Sequence, residues 1–104
     1  MLIMSDQGFA IELSKRFISE LRAFGYKPQR AYLFGSFAKN KQNEFSDIDL
    51  AVWDSNFSGC MAIDYEGFKT LLIKFPRIEL HTFNPADRSD PFISEIEKEG
   101  INLL

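Results

Sequence analysis

Apolar residues recur along the chain with two different periods, and the switches between them divide it into segments. Phe9, Ile11, Leu13, Phe17, Ile18, Leu21 and Phe24 fall at mostly helical spacing, which predicts an amphipathic packing helix. Ser5 or Asp6 is its expected N-cap and Gly25 its stop. Tyr26-Lys27-Pro28 is a connector, because Pro28 cannot continue a helix and biases Lys27 toward extended backbone. A strand is expected from Gln29 to Phe34, and it stops at Gly35-Ser36, where a short helix is expected to begin. The polar stretch from Phe37 to Phe45 leads to Ser46-Asp47-Ile48-Asp49 and a second apolar run, Leu50 to Trp53. The turn formers from Asp54 to Gly59 precede a second helix, Met61 to Phe75, with Ile63, Phe68, Leu71, Leu72 and Phe75 expected inward. Gly67 weakens that helix by ~1 kcal/mol relative to alanine, and Pro76 ends it.

Arg77 to Phe83 alternates as a third strand, with Ile78, Leu80 and Thr82 facing one way and Glu79, His81 and Phe83 the other. A turn at Asn84-Pro85-Ala86-Asp87 follows. Pro91 opens a last helix carrying Phe92, Ile93 and Ile96, with Ile101 at its limit; Gly100 terminates it and leaves a short apolar tail. The order α-β-(short α)-β-α-β-α implies a small sheet covered by helices, an α/β (α+β) fold.

Composition narrows this picture. A chain of 104 residues is read as a single domain, residues 1–104, with one core. Eleven phenylalanines point to a core or interface built on aromatic volume. A net charge of −3 offers no basic footprint, so direct nucleic-acid binding is not favoured. A single cysteine, Cys60, excludes an internal disulfide and fits a reducing compartment. No apolar run approaches the roughly 18 residues that span a bilayer, and no signal-peptide pattern is present. The expected location is cytoplasmic, and an oligomer is left open.

The candidate chemistry lies between the first two strands. A Gly-Ser corner presents backbone N–H groups and a hydroxyl suited to phosphate oxygens. On a strand Asp47 and Asp49 point the same way, about 7 Å apart, and a fold tolerates two such charges best around a cation. Carboxylate oxygens are what Mg²⁺ prefers, and Glu79 on the third strand is the candidate third acid. Three carboxylates can hold two divalent ions.

Gly35-Ser36, a spacer of ten residues, then Asp47-Ile48-Asp49-Leu50 resembles the signature of the DNA polymerase β-type nucleotidyltransferase superfamily. The short chain is similar to its minimal, MntA-like branch. The resemblance implies a small mixed β-sheet flanked by helices and transfer of a nucleoside monophosphate from a nucleoside triphosphate, with pyrophosphate leaving. It implies that Gly35, Ser36 and Lys39 bind the nucleotide, and that Asp47, Asp49 and Glu79 are the metal-ligating and catalytic acids, with two Mg²⁺ ions as cofactors and ATP as substrate. It also implies a HEPN-type helical partner protein whose hydroxyl receives AMP, this chain being the antitoxin of the pair. Glu79 stands where the family usually has Asp, and Phe37 and Asn40 replace a basic residue and a glycine. These departures support an alternative, a catalytically inactive binding or regulatory subunit.

The remaining residues have blander readings. Lys41 is read as a solvated loop lysine, Ser46 as orienting the Asp loop, and Cys60 as a small buried hydrophobe. Trp53 is read as core. His81 shares the face of Glu79, and a hydrogen-bonded structural histidine is favoured over a role at the acceptor. Arg77 pairs with either an acid or a phosphate.

Overall fold

The computed structural model describes residues 6–104. Helix α1 (Gln7–Ala23) buries Ala10, Ser14, Phe17, Ile18 and Leu21, one stripe at helical spacing. Asp6 stands at its N-cap, and the alternative cap Ser5 lies outside the described residues. Two bonds close its C-terminus: the Gly25 amide donates to the Arg22 carbonyl (3.0 Å) and the Tyr26 amide to that of Leu21 (3.1 Å). That pairing is the Schellman stop the glycine foretold. Phe24 departs from the expected stripe and is exposed.

Strands β1 (Arg30–Phe34), β2 (Ile48–Trp53), β3 (Ile78–Phe83) and β4 (Ile101–Asn102) form one mixed sheet in the order β3-β2-β1-β4. β1 runs antiparallel to β2 and β4, and β2 runs parallel to β3 across helix α2 (Met61–Lys74). The apolar tail after Gly100 is therefore a strand. Two residues are too few to show a period, and only the place beside Tyr32 and Leu33 makes them one.

Strand alternation divides the core. Ala31, Leu33, Ile48, Leu50, Val52, Ile78 and Leu80 face α1 and α2, completed by Phe17, Phe68 and Phe75. The opposite face carries Phe34, Ala51 and Trp53 against Ile93 and Ile96 of α3 (Pro91–Glu99). Trp53 stacks on Phe83 (4.7 Å) and lies under the Arg30 guanidinium (4.8 Å). α3 has Pro91 in its first turn and Asp90 as cap, its carboxylate accepting from the Phe92 amide (2.9 Å).

In α2 the inward positions are Asp64, Phe68 and Leu71, and the expected Ile63 is 67% exposed. Polar chemistry set this rotation. Asp64 accepts from the Ser58 amide (2.8 Å), the Gly59 amide (3.1 Å) and the Thr82 hydroxyl (2.8 Å), tying the loop and β3 to the helix. Gly67 leaves room for the Tyr26 hydroxyl, which occupies the place a Cβ would take. Cys60 is exposed rather than buried. It precedes the first turn of α2, where its carbonyl accepts from the Ile63 and Asp64 amides.

Candidate active site

The face of the sheet that α3 covers is paved in rows set by register. Phe34, Asp49 and Glu79 form one row, Tyr32, Ala51 and His81 the next, and Arg30, Trp53 and Phe83 the last. α3 packs on this face through Ile93 and Ile96, and its Phe92 meets Phe34 of the acidic row edge-on at 5.4 Å. Asp49 and Glu79 are direct partners in the parallel ladder, which brings two residues thirty positions apart side by side.

One ligating atom each from Asp49, Glu79 and His81 lie within 4.8 Å of one another. A hydrogen bond with Asp49, then burial and the Asp49 charge, raise the Glu79 carboxyl above its ordinary value. The charge of Asp47 adds to this. Two carboxyls forced together form a donor set whose mutual repulsion a divalent cation relieves, so these residues fit one.

Asp47 itself stands outside the tight group. It precedes β2 and is exposed, so the alternation that aligns Asp49 with Glu79 does not bind it. Around it, the Ser46 hydroxyl accepts from the Asn43 amide (3.0 Å) and orders the turn before the acids, as expected. Arg77 donates to the Ser46 carbonyl (2.7 Å) and lies over the Phe37 ring.

Gly35 is pressed against the acids. Its φ is +71°, a backbone region L side chains rarely adopt, and a Cβ there would collide with Asp49 Oδ2. Residues 35–40 form turns instead of the expected short helix. The Lys39 amide reaches the Gly35 carbonyl (3.2 Å), but Asn40 bonds to Phe37 and Lys41 to Ser36, and Asn40 has a φ of 55°. These bonds span four, three and five residues, so no helical repeat develops. Ser36 follows Gly35 at the corner. Lys39 extends to Glu99 (3.0 Å), whose hydrogen bond and charge raise the lysine above its ordinary value. A cleft of about 220 Å³ beside Gly35 and Lys39 is lined by Phe92 and Glu95. A larger one, about 530 Å³, runs along the β3 edge past Glu79, His81 and Phe92, and it is of ligand-site size.

His81 is the member that sequence reasoning set aside. Its Nε2 is buried without a hydrogen-bond partner, 3.8 Å from Asp49 and 3.9 Å from Glu79. The signal was its two-residue spacing from Glu79, which places both on one face.

Residues 18–104 match the family described as Polymerase beta, Nucleotidyltransferase. No curated protein matches the chain in sequence. Among solved structures, a protein of Sulfolobus solfataricus provisionally assigned as a nucleotidyltransferase superposes with a TM-score of 0.60 at 16% identity, over 92% of this chain and 80% of that one. A chain from a double mutant of the toxin-antitoxin MntA-HpeT superposes with a TM-score of 0.62 at 23% identity, over 88% of this chain and 72% of the other. At these identities the likeness is one of fold.

Proposed function

The chain belongs to the polymerase beta nucleotidyltransferase family, and on that premise we propose that it moves AMP from ATP to a hydroxyl of a partner protein. The observation that carries the reading is the convergence of Asp49 and Glu79 beside Gly35, joining the acids to the Gly-Ser corner.

Gly35 and Ser36 hold triphosphate oxygens through backbone N–H groups and the hydroxyl, and Lys39 supplies a positive charge at the same turn. Asp49 and Glu79 hold Mg²⁺, with Asp47 as a further ligand from the exposed loop. Bound there, Mg²⁺ supplies charge neutralisation for the triphosphate and for the leaving pyrophosphate. The acceptor oxygen forms a bond to the α-phosphorus as the bond from that phosphorus to the bridging oxygen breaks. The hydroxyl proton passes to the Glu79 carboxylate, an acidic oxygen at the margin of the cleft that admits the acceptor. The 530 Å³ cleft along β3 opens on that carboxylate and admits the acceptor.

The acceptor is assigned to a second protein on the strength of the resemblance to the minimal, MntA-like branch. The minimal-branch resemblance and the MntA-HpeT neighbour support a toxin–antitoxin pair, in which a HEPN-type helical toxin receives the AMP. Calorimetric titration of ATP with Mg²⁺ into the wild type and the Asp47→Asn/Asp49→Asn variant tests the site, and equal binding by both sinks it. Incubation with α-labelled ATP and the partner tests the transfer, which predicts label on a partner hydroxyl. A second reading, a binding subunit without turnover, is favoured by the position of Asp47 outside the tight group and the engagement of Lys39 by Glu99. It predicts nucleotide binding with no label on any protein.

A further inference from the structure

We propose that His81 is itself a ligand of the cation held by Asp49 and Glu79, and that the site therefore takes a first-row transition cation in preference to Mg²⁺. The inference rests on the metal reading of the acid pair and adds to it a nitrogen ligand and a selectivity.

Four observations support it. First, Nε2 of His81 faces both acids, at 3.8 Å from Asp49 Oδ1 and 3.9 Å from Glu79 Oε1. Those separations are too long for hydrogen bonds. They are also within the span of one ion, since bonds of about 2.0–2.2 Å place two ligand atoms at most about 4.4 Å apart. Second, that nitrogen is buried and has no hydrogen-bond partner. A buried polar atom without a partner is uncommon and calls for a ligand or a functional reason. Third, the ring is held from its sides. Phe34 meets it edge-on at 5.0 Å and Phe92 at 6.4 Å. Fourth, the residue opposite His81 in the ladder is Ala51, fully buried and too small to stand between the imidazole and the acids.

Chemistry then sets the selectivity. Mg²⁺ takes oxygen ligands and keeps its waters. Imidazole nitrogen suits the softer ions of the first row, whose affinity for such a site rises toward the end of the series. Two carboxylates and one imidazole are a mixed set in which the nitrogen separates Co²⁺ or Zn²⁺ from Mg²⁺.

The test titrates Co²⁺ and Mg²⁺ separately into the wild type, His81→Phe and Asp49→Asn. His81→Phe keeps a ring between Phe34 and Phe92 while removing the nitrogen, and Trp53 fluorescence verifies folding of each variant. In the wild type, Co²⁺ binds at least tenfold more tightly than Mg²⁺, and Mn²⁺ in the same site shows nitrogen hyperfine coupling. In His81→Phe the coupling disappears and Co²⁺ affinity falls about ten- to a hundredfold, while Mg²⁺ affinity changes by less than about threefold. If His81→Phe does not fold, the coupling in the wild type alone decides: its absence overturns the proposal. Unchanged Co²⁺ affinity in a folded His81→Phe overturns it too. Asp49→Asn separates the two levels. If it weakens both cations while His81→Phe weakens neither, His81 is no ligand and the acid-pair site stands. If Asp49→Asn binds both as the wild type does, the metal reading of the acid pair has failed.

Discussion

Asp49 and Glu79 stand directly across the β2–β3 ladder from each other, with their carboxyls within hydrogen-bonding reach. The pairing keeps a proton on Glu79 to higher pH than an isolated glutamate would. A raised folded value favours the folded state below the ordinary value of 4.5, and that contribution is lost as pH rises through the folded value. At pH 8 without metal the pair is therefore a liability. Glu79→Gln should raise the urea-unfolding free energy in EDTA by about 0.2–0.5 kcal/mol, the low end of a like-charge pair because Glu79 is half-exposed. The gain should shrink toward zero below the ordinary glutamate value. Added Mg²⁺ should stabilise the wild type more than the variant, and equal stabilisation would show that Glu79 holds no cation.

Gly35→Ala should be among the most damaging small substitutions at the site. The added Cβ meets Asp49 Oδ2, and φ of +71° penalises any side chain. A loss of about 1–3 kcal/mol is expected by chemical denaturation. Cation affinity should fall as well, because Asp49 has to move. A variant with wild-type stability and metal binding would show that the corner and the acid are not in contact.

Asp64 provides the acid-side pH dependence of the fold. Burial alone raises its carboxyl, but hydrogen bonds from Ser58, Thr82 and Gly59 outweigh that and hold it below the ordinary value. Its contribution is full above about 3.8 and is lost as pH falls through the folded value. Asp64→Ala should cost about 2–3 kcal/mol at pH 7, since it strands two amides and a buried hydroxyl. The difference between wild type and variant should narrow in acid-unfolding curves as the pH drops below the ordinary value.

Arg30 joins β1 to α3. Its guanidinium lies over Trp53 and donates to Glu97 at 2.6 Å. Arg30→Ala should cost about 1 kcal/mol, mostly from the cation–π contact. Trp53 is the sole tryptophan, so its emission reports the change directly, and a spectrum unaltered by the substitution would contradict the stacked arrangement.

Local patterning and tertiary placement contributed differently. The helical period of Phe17, Ile18 and Leu21, the stop at Gly25, the alternation of Ile78 to Phe83 and the Pro91 start were all legible, because each depends on neighbours within a turn or two. So was the Gly-Ser and Asp-x-Asp spacing that marks the family. Longer-range matters were not. Ile63 satisfies the apolar pattern of α2, but the hydrogen bonds to Asp64 come from a loop and from β3 and rotate the helix the other way. The tail from Ile101 became a strand only because β1 offered an open edge. Asp47 and Asp49 look equivalent in sequence, yet only Asp49 lies in the ladder, where parallel pairing sets it against Glu79. By itself the sequence determined the three helices, the first three strands, the fold class and the family, since periodicity and turn chemistry are local. Tertiary structure alone decided that Glu79 and His81 meet Asp49, because the register between β2 and β3 is set by burial of Ile48, Leu50, Ile78 and Leu80 on the opposite face of the sheet.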